Sequence, residues 1–186
     1  MKISFPSERP DGHAPCVWHV QQLLLQAVES LLGPREGRYT ICQPRFLTTD
    51  GQPHIWSNAD QAGAYLSTAS AGYWPTLVYE LAHETVHLLN PVVGSTNLLE
   101  EGVAVAFSVS QSALLTDHPQ RPSPTDKRYV TAHSLVEGLP GGAFPAGRLV
   151  RERFGALGRL TQPQLESLFP AVGASVLTKL AAHDVP

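Results

Sequence analysis

The chain has 186 residues, 42% of them hydrophobic, and a formal net charge of −3. That length and apolar content exclude a disordered chain and fit a single domain, residues 1–186, able to hide about 70% of its unfolded surface. Its thirteen basic residues are scattered rather than striped, which argues against a nucleic-acid partner, and no apolar run approaches the roughly 20 residues of a membrane span.

In chain order, residues 1–15 are rich in proline and glycine and read as an extended arm. The opening Met1-Lys2-Ile3-Ser4-Phe5-Pro6 lacks the apolar core of a secretion signal, so a cytoplasmic location is expected. Apolar residues at 17, 20, 24, 28, 31 and 32 follow a helical period that Gly33-Pro34 stops. Residues 38–49 read as a strand around Tyr39, Ile41, Phe46 and Leu47, which Pro44 places at an edge or bulges. Asp50-Gly51 signals a turn, His54-Ile55-Trp56 a return strand, and residues 62–69 a third strand. Cys16 and Cys42 are too few for a disulfide framework and read as reduced, semi-buried thiols. Thiol catalysis by Cys16 beside His13 or His19 is the lesser reading, because these are merely sequence neighbours.

The next segment is the most informative: His83-Glu84-Thr85-Val86-His87, set in an apolar helix that starts near Pro75. Histidines four apart share a helix face and can reach one metal ion. Glu84 lies one position round the helix, close to that ion but aimed beside it. The set suits zinc, with Glu84 as general base toward a zinc-activated water. Eight histidines in the chain leave room for a chance match, and a pair of core histidines satisfied by backbone carbonyls is the alternative. Two histidines and a glutamate in an apolar helix are nevertheless costly to desolvate unless something compensates them, and a metal does.

Glu101 stands fourteen residues beyond His87. The preceding Asn97-Leu98-Leu99-Glu100 reads as a capping box, in which Glu100 reaches back to the Asn97 N–H and Glu101 is left free to meet the metal. The run Val103-Ala104-Val105-Ala106-Phe107 predicts a second buried helix, and residues 90–96 are long enough to reverse the chain. Two antiparallel helices would then face each other across the ion.

His83-Glu84-x-x-His87 with Glu101-Gly102-Val103-Ala104 resembles the zinc metallopeptidases called gluzincins, in the aminopeptidase-like branch more than the thermolysin branch. The resemblance covers roughly residues 60–110. It implies His83, His87 and Glu101 as ligands of one zinc ion and Glu84 as general base. It also implies that the 62–69 strand forms a cleft rim that pairs with an extended peptide. Three departures accompany it, the first being a gap from His87 to Glu101 shorter than in either branch, which fits a minimal domain. Val105 stands where the thermolysin branch has an aspartate that orients a histidine, so that partner must come from elsewhere. The Gly-x-Met-x-Asn segment that binds a substrate amine in true aminopeptidases is missing.

Residues 117–124 hold three prolines and read as a loop. Ser123-Pro124 predicts an N-cap with proline at N1, opening a helix that closes at Gly138. Shorter helices follow over 144–154, 161–169 and 174–182, with Arg148, Arg151 and Arg153 on a solvated face. Gluzincin-like enzymes use a tyrosine or histidine from this region to stabilise charge on the substrate oxygen. Tyr129 and then His133, four apart on one helix face, are the candidates, with a core-edge aromatic and a surface histidine as the alternative.

These readings combine into an α+β, zincin-like domain: a small twisted sheet near the N-terminus, then helices carrying the metal site. The expected function is zinc-dependent hydrolysis of peptide or protein substrates, with no nucleic-acid or membrane partner. The alternatives are a metal-bearing binding protein without turnover and a zinc hydrolase of non-peptide amides. Oligomeric state and cleavage specificity have no signature in the sequence.

Overall fold

The computed structural model describes residues 2–92, 94 and 96–183. Helix α1 (Ala14–Leu32) forms because Val17, Val20, Leu24, Val28 and Leu32 make one buried stripe, and Gly33 ends it at φ 88°. Its last carbonyls find a partner far along the chain. The Arg151 guanidinium donates to the carbonyl oxygens of Leu32, Gly33 and Pro34 at 2.7, 2.8 and 2.8 Å. Arg151 is therefore 7% exposed rather than part of a solvated face, a correction explained by those carbonyls. The N-terminal arm is pinned along the helix ends, with Ile3 N–H donating to the Leu115 carbonyl and the Phe5 ring stacked 5.0 Å from Trp74.

The sheet is small and mixed. Strand β4 (Gln61–Leu66) lies in the middle, with β1 (Thr40–Ile41) and β2 (Arg45–Phe46) parallel to it on one side and β3 (His54–Ser57) antiparallel on the other. Pro44 divides the expected 38–49 strand into the two short pieces. Trp56 lies over Gly63, where a Cβ would come within 2.9 Å of the indole. The strand expected over 62–69 stops at Leu66, because the Ser67 hydroxyl accepts from Ser70 N–H and opens α2 (Thr68–Gly72). Because β4 is paired on both sides, it cannot be a cleft rim. β3, which pairs with β4 alone among the described residues, lies at the edge of the sheet.

Helices α3 (Trp74–His87) and α4 (Leu98–Leu115) pack together at the centre of the core. Thr85 faces away from the metal motif, accepting from Gln21 Nε2 of α1 at 2.9 Å, which fixes the rotation of α3. By length and composition α4 is the one described helix able to cross a membrane, and 72% of it is buried inside the chain. The segment 90–96 expected to reverse the chain includes Val93 and Ser95, which lie outside the described residues. The C-terminal third is helical: α5 (Lys127–Glu137), α6 (Ala143–Phe154), α7 (Gln162–Leu168) and α8 (Ala174–Ala181). Asp126, not Ser123, caps α5, its side chain accepting from Tyr129 N–H. Cys16 and Cys42 are both free and half-buried.

Candidate metal centre

Three side chains from two core helices converge. His83 and His87 project from one face of α3, their ring centroids 5.0 Å apart, and Glu101 reaches them from the first turn of α4. Glu101 Oε2 lies 3.3 Å from His83 Nε2, and Oε1 lies 3.9 Å from His87 Nε2. The three candidate ligand atoms all fall within 4.8 Å of one another. Four ligands placed tetrahedrally at about 2.1 Å from an ion are about 3.4 Å apart, so the cluster is near the spacing that zinc requires. Glu101 Oε2 is buried without a hydrogen-bond partner among the described residues, an orphan atom that a cation would satisfy.

The electrostatics favour the same occupant. Burial disfavours the Glu101 anion, yet contact with His83 and the neighbouring charge of His87 outweigh it and hold the carboxyl well below the usual range. Burial likewise opposes protonation of His87, but the hydrogen bond with Glu100 and the charges of Glu100, Glu101 and Glu84 raise its pKa. Carboxylates on both sides of His87 thus stabilise positive charge there, a demand that a divalent ion would also meet. Glu84, 3% exposed, is raised first by burial and further by Glu101, against the lowering pull of both histidines. A carboxyl raised in this way moves toward the range where a general base both takes up and releases a proton.

Glu100 does not close the expected capping box. Asn97 does cap α4, accepting from Glu100 N–H at 3.0 Å, but the Glu100 carboxylate turns to His87, with Oε1 2.9 Å from Nδ1. That contact orients the imidazole so that Nε2 faces Glu101, and it supplies the orienting partner that Val105 cannot. Adjacency to Glu101 was the only sequence signal for it. The loop after α6 holds this carboxylate in place: a Cβ on Gly158 would fall 2.0 Å from Glu100 Oε2, and Asn97 Nδ2 donates to the Leu157 carbonyl at 2.9 Å.

The centre opens into a two-lobed cleft. One lobe of about 470 Å³ includes His54, Thr96, Arg128 and the metal cluster; the other, about 190 Å³, includes Tyr79 and Asp126. His83, Glu84, Tyr129, Gln52 and Pro53 line both. Tyr129 therefore faces the site, its ring centroid 5.2 Å from that of His83. Burial, then the nearby Glu101 and Glu84 charges, push its pKa up and keep the phenol protonated as a donor. His133 lines neither lobe and sits 3.7 Å from Glu137 one turn on. One turn of helix separates the two candidates, and only the first turn of α5 reaches the cleft.

Gly102 explains how α5 comes so close. A Cβ there would lie 2.4 Å from the Ala132 carbonyl oxygen and 2.6 Å from Val136 Cγ1, so the missing side chain lets α4 and α5 touch. Arg128, unremarked in the sequence, is thereby brought to 3.6 Å from Glu101 Oε1, which also accepts a hydrogen bond from the Thr96 hydroxyl. No family model, no curated protein and no solved structure matches the chain.

Proposed function

We propose that this protein is a zinc-dependent metallopeptidase of gluzincin type, acting on peptide or protein substrates. The observation that carries the proposal is the buried His83–His87–Glu101 cluster with Glu84 beside it at the floor of an open cleft. When bound, zinc would supply Lewis acidity, lowering the pKa of water and polarising a carbonyl. His83, His87 and Glu101 would hold it, and Glu100 keeps His87 in the correct tautomer. Glu84 takes a proton as the water oxygen bonds to the carbonyl carbon, then returns it to the amine as the C–N bond breaks. Tyr129 donates to the carbonyl oxygen as negative charge builds there. Edge strand β3, with His54 and Ile55 in the wall of the larger lobe, offers its free side to the backbone of an extended substrate.

The test is Glu84→Gln. The variant should bind zinc in the same 1:1 ratio as the parent while peptide cleavage falls by about 10³-fold or more. A fully active variant overturns the mechanism. A parent that binds zinc yet cleaves no member of a peptide library leaves a metal-bearing binding protein instead.

A further inference from the structure

The smaller lobe shares His83 and Glu84 with the larger one but has walls of its own, chiefly Tyr79, Glu80, Arg121 and Asp126. The Tyr79 hydroxyl is shielded from solvent and has no hydrogen-bond partner among the described residues. Such a group, in a cavity that adjoins the metal cluster, is placed to pair with a polar guest. Asp126 lines the same lobe as Tyr79, and burial, then the Asp126 charge, push the Tyr79 phenol up to about 12.

Charge selects the guest. Asp126 and Glu80 face the lobe against one guanidinium, Arg121, which is exposed to solvent. Glu80 is fixed as a wall, its carboxylate accepting from Ser67 N–H at 3.0 Å, from the Ser67 hydroxyl at 2.6 Å and from the Ser70 hydroxyl. Asp126 is fixed by its capping bond to Tyr129 N–H at 3.2 Å. Pro53 and Pro122 add apolar wall that suits a methylene stem.

We propose that this lobe is a specificity pocket for a cationic side chain, lysine or arginine, beside the scissile bond, with Asp126 as its counter-ion and the Tyr79 hydroxyl as its hydrogen-bond partner. The proposal rests on the metallopeptidase reading, because the metal would anchor the bond next to the pocket. An ammonium brings three donors and no acceptor, which suits a carboxylate and a phenol oxygen together. An acidic guest would meet two carboxylates, and an aliphatic one would leave the phenol unpartnered.

A binding experiment separates the pocket from the chemistry. The full chain loaded with zinc is titrated calorimetrically with Nα-acetyl-lysine hydroxamate and with Nα-acetyl-norleucine hydroxamate, which has the same stem without the ammonium. The hydroxamate engages the metal in both. The lysine compound should bind roughly tenfold or more tightly. Asp126→Asn keeps a good N-cap for α5 while removing the charge, and should bring the ratio to about one. Tyr79→Phe removes a single oxygen and should reduce the ratio with no change in the circular dichroism spectrum. Should the Asn variant not fold, Tyr79→Phe decides by itself. Equal binding of the two compounds, or a lysine preference that survives both substitutions, overturns the pocket and leaves the metal centre standing. No binding of either compound overturns the metal centre and the pocket with it.

Discussion

His83, His87, Glu100 and Glu101 sit on two core helices and are between 6% and 8% exposed, whereas Gln52, His54, Arg121 and Ser123 in the facing walls sit on connections or the edge strand and are exposed. The first set is held by the same packing that stabilises the domain, so the metal centre is as rigid as the core. The second set is held by local turns. On the proposed reading, chemistry would rest on the part of the molecule that tolerates least change, and recognition on the part that tolerates most. Tyr129 and Arg128 are intermediate: they stand at the start of α5, which packs most extensively on α4, with the closest approach at Gly102.

That contact is where the two walls can be uncoupled. Gly102→Ala puts a Cβ 2.4 Å from the Ala132 carbonyl oxygen, a backbone atom that can move only with α5 as a whole. The loss should be about 3 kcal/mol in urea denaturation, the largest effect on stability among these substitutions. The surviving folded protein should retain zinc, since His83, His87 and Glu101 are carried by α3 and α4, but hydrolyse peptides poorly. Unchanged stability would mean that the helices separate at no cost and that Gly102 carries no structural demand.

Within α5 the comparison narrows to one turn of helix. Tyr129→Phe should lower kcat by about a hundredfold with KM little changed, because the phenol acts on charge that appears only in the transition state. His133→Ala should leave kcat within about twofold, since its contact with Glu137 lies on the outer part of the helix and exposed pairs of this kind contribute little. Equal effects from the two substitutions would show that the first turn of α5 has no privileged place in the cleft.

The same contrast explains which parts were legible in the sequence. The helices of the metal centre carry strong periodic signals, a proline at the start of α3 and Asn97 at the start of α4, and the pairing of His83 with His87 follows from helical geometry alone. The chain-reversing segment and the separation of Glu100 from Glu101 were also readable, although the reason given for Glu100 was not the right one. A capping box and a histidine partner require the same residue at the same place, and only the position of His87 on the neighbouring helix distinguishes them. Arg151 was misread for a related reason. Its partners are the end carbonyls of α1, and no local pattern announces a partner so distant. The strand arrangement was half legible, since alternation marks a strand without saying how many neighbours it has. His54 and Arg128 reach the cleft through tertiary packing and left no mark in spacing.

The last expected effect concerns the support of His87. Glu100→Gln keeps a hydrogen-bonding side chain toward His87 but removes its charge, and zinc affinity should fall by about ten- to a hundredfold in a chelator competition. Gly158→Ala leaves every residue of the metal centre in place, yet its Cβ would fall 2.0 Å from Glu100 Oε2. Either the loop after α6 yields or the carboxylate does. If the carboxylate is displaced, zinc affinity drops in the same direction as in Glu100→Gln, by about tenfold, and the double variant should add little to Glu100→Gln because both act through one contact. If the two losses add fully, Gly158 affects the centre by another route and the loop is not a clamp on Glu100. Unchanged zinc affinity with a lowered unfolding midpoint would show that the loop gives way first. The rigidity credited to the metal-bearing wall would then end at the two helices.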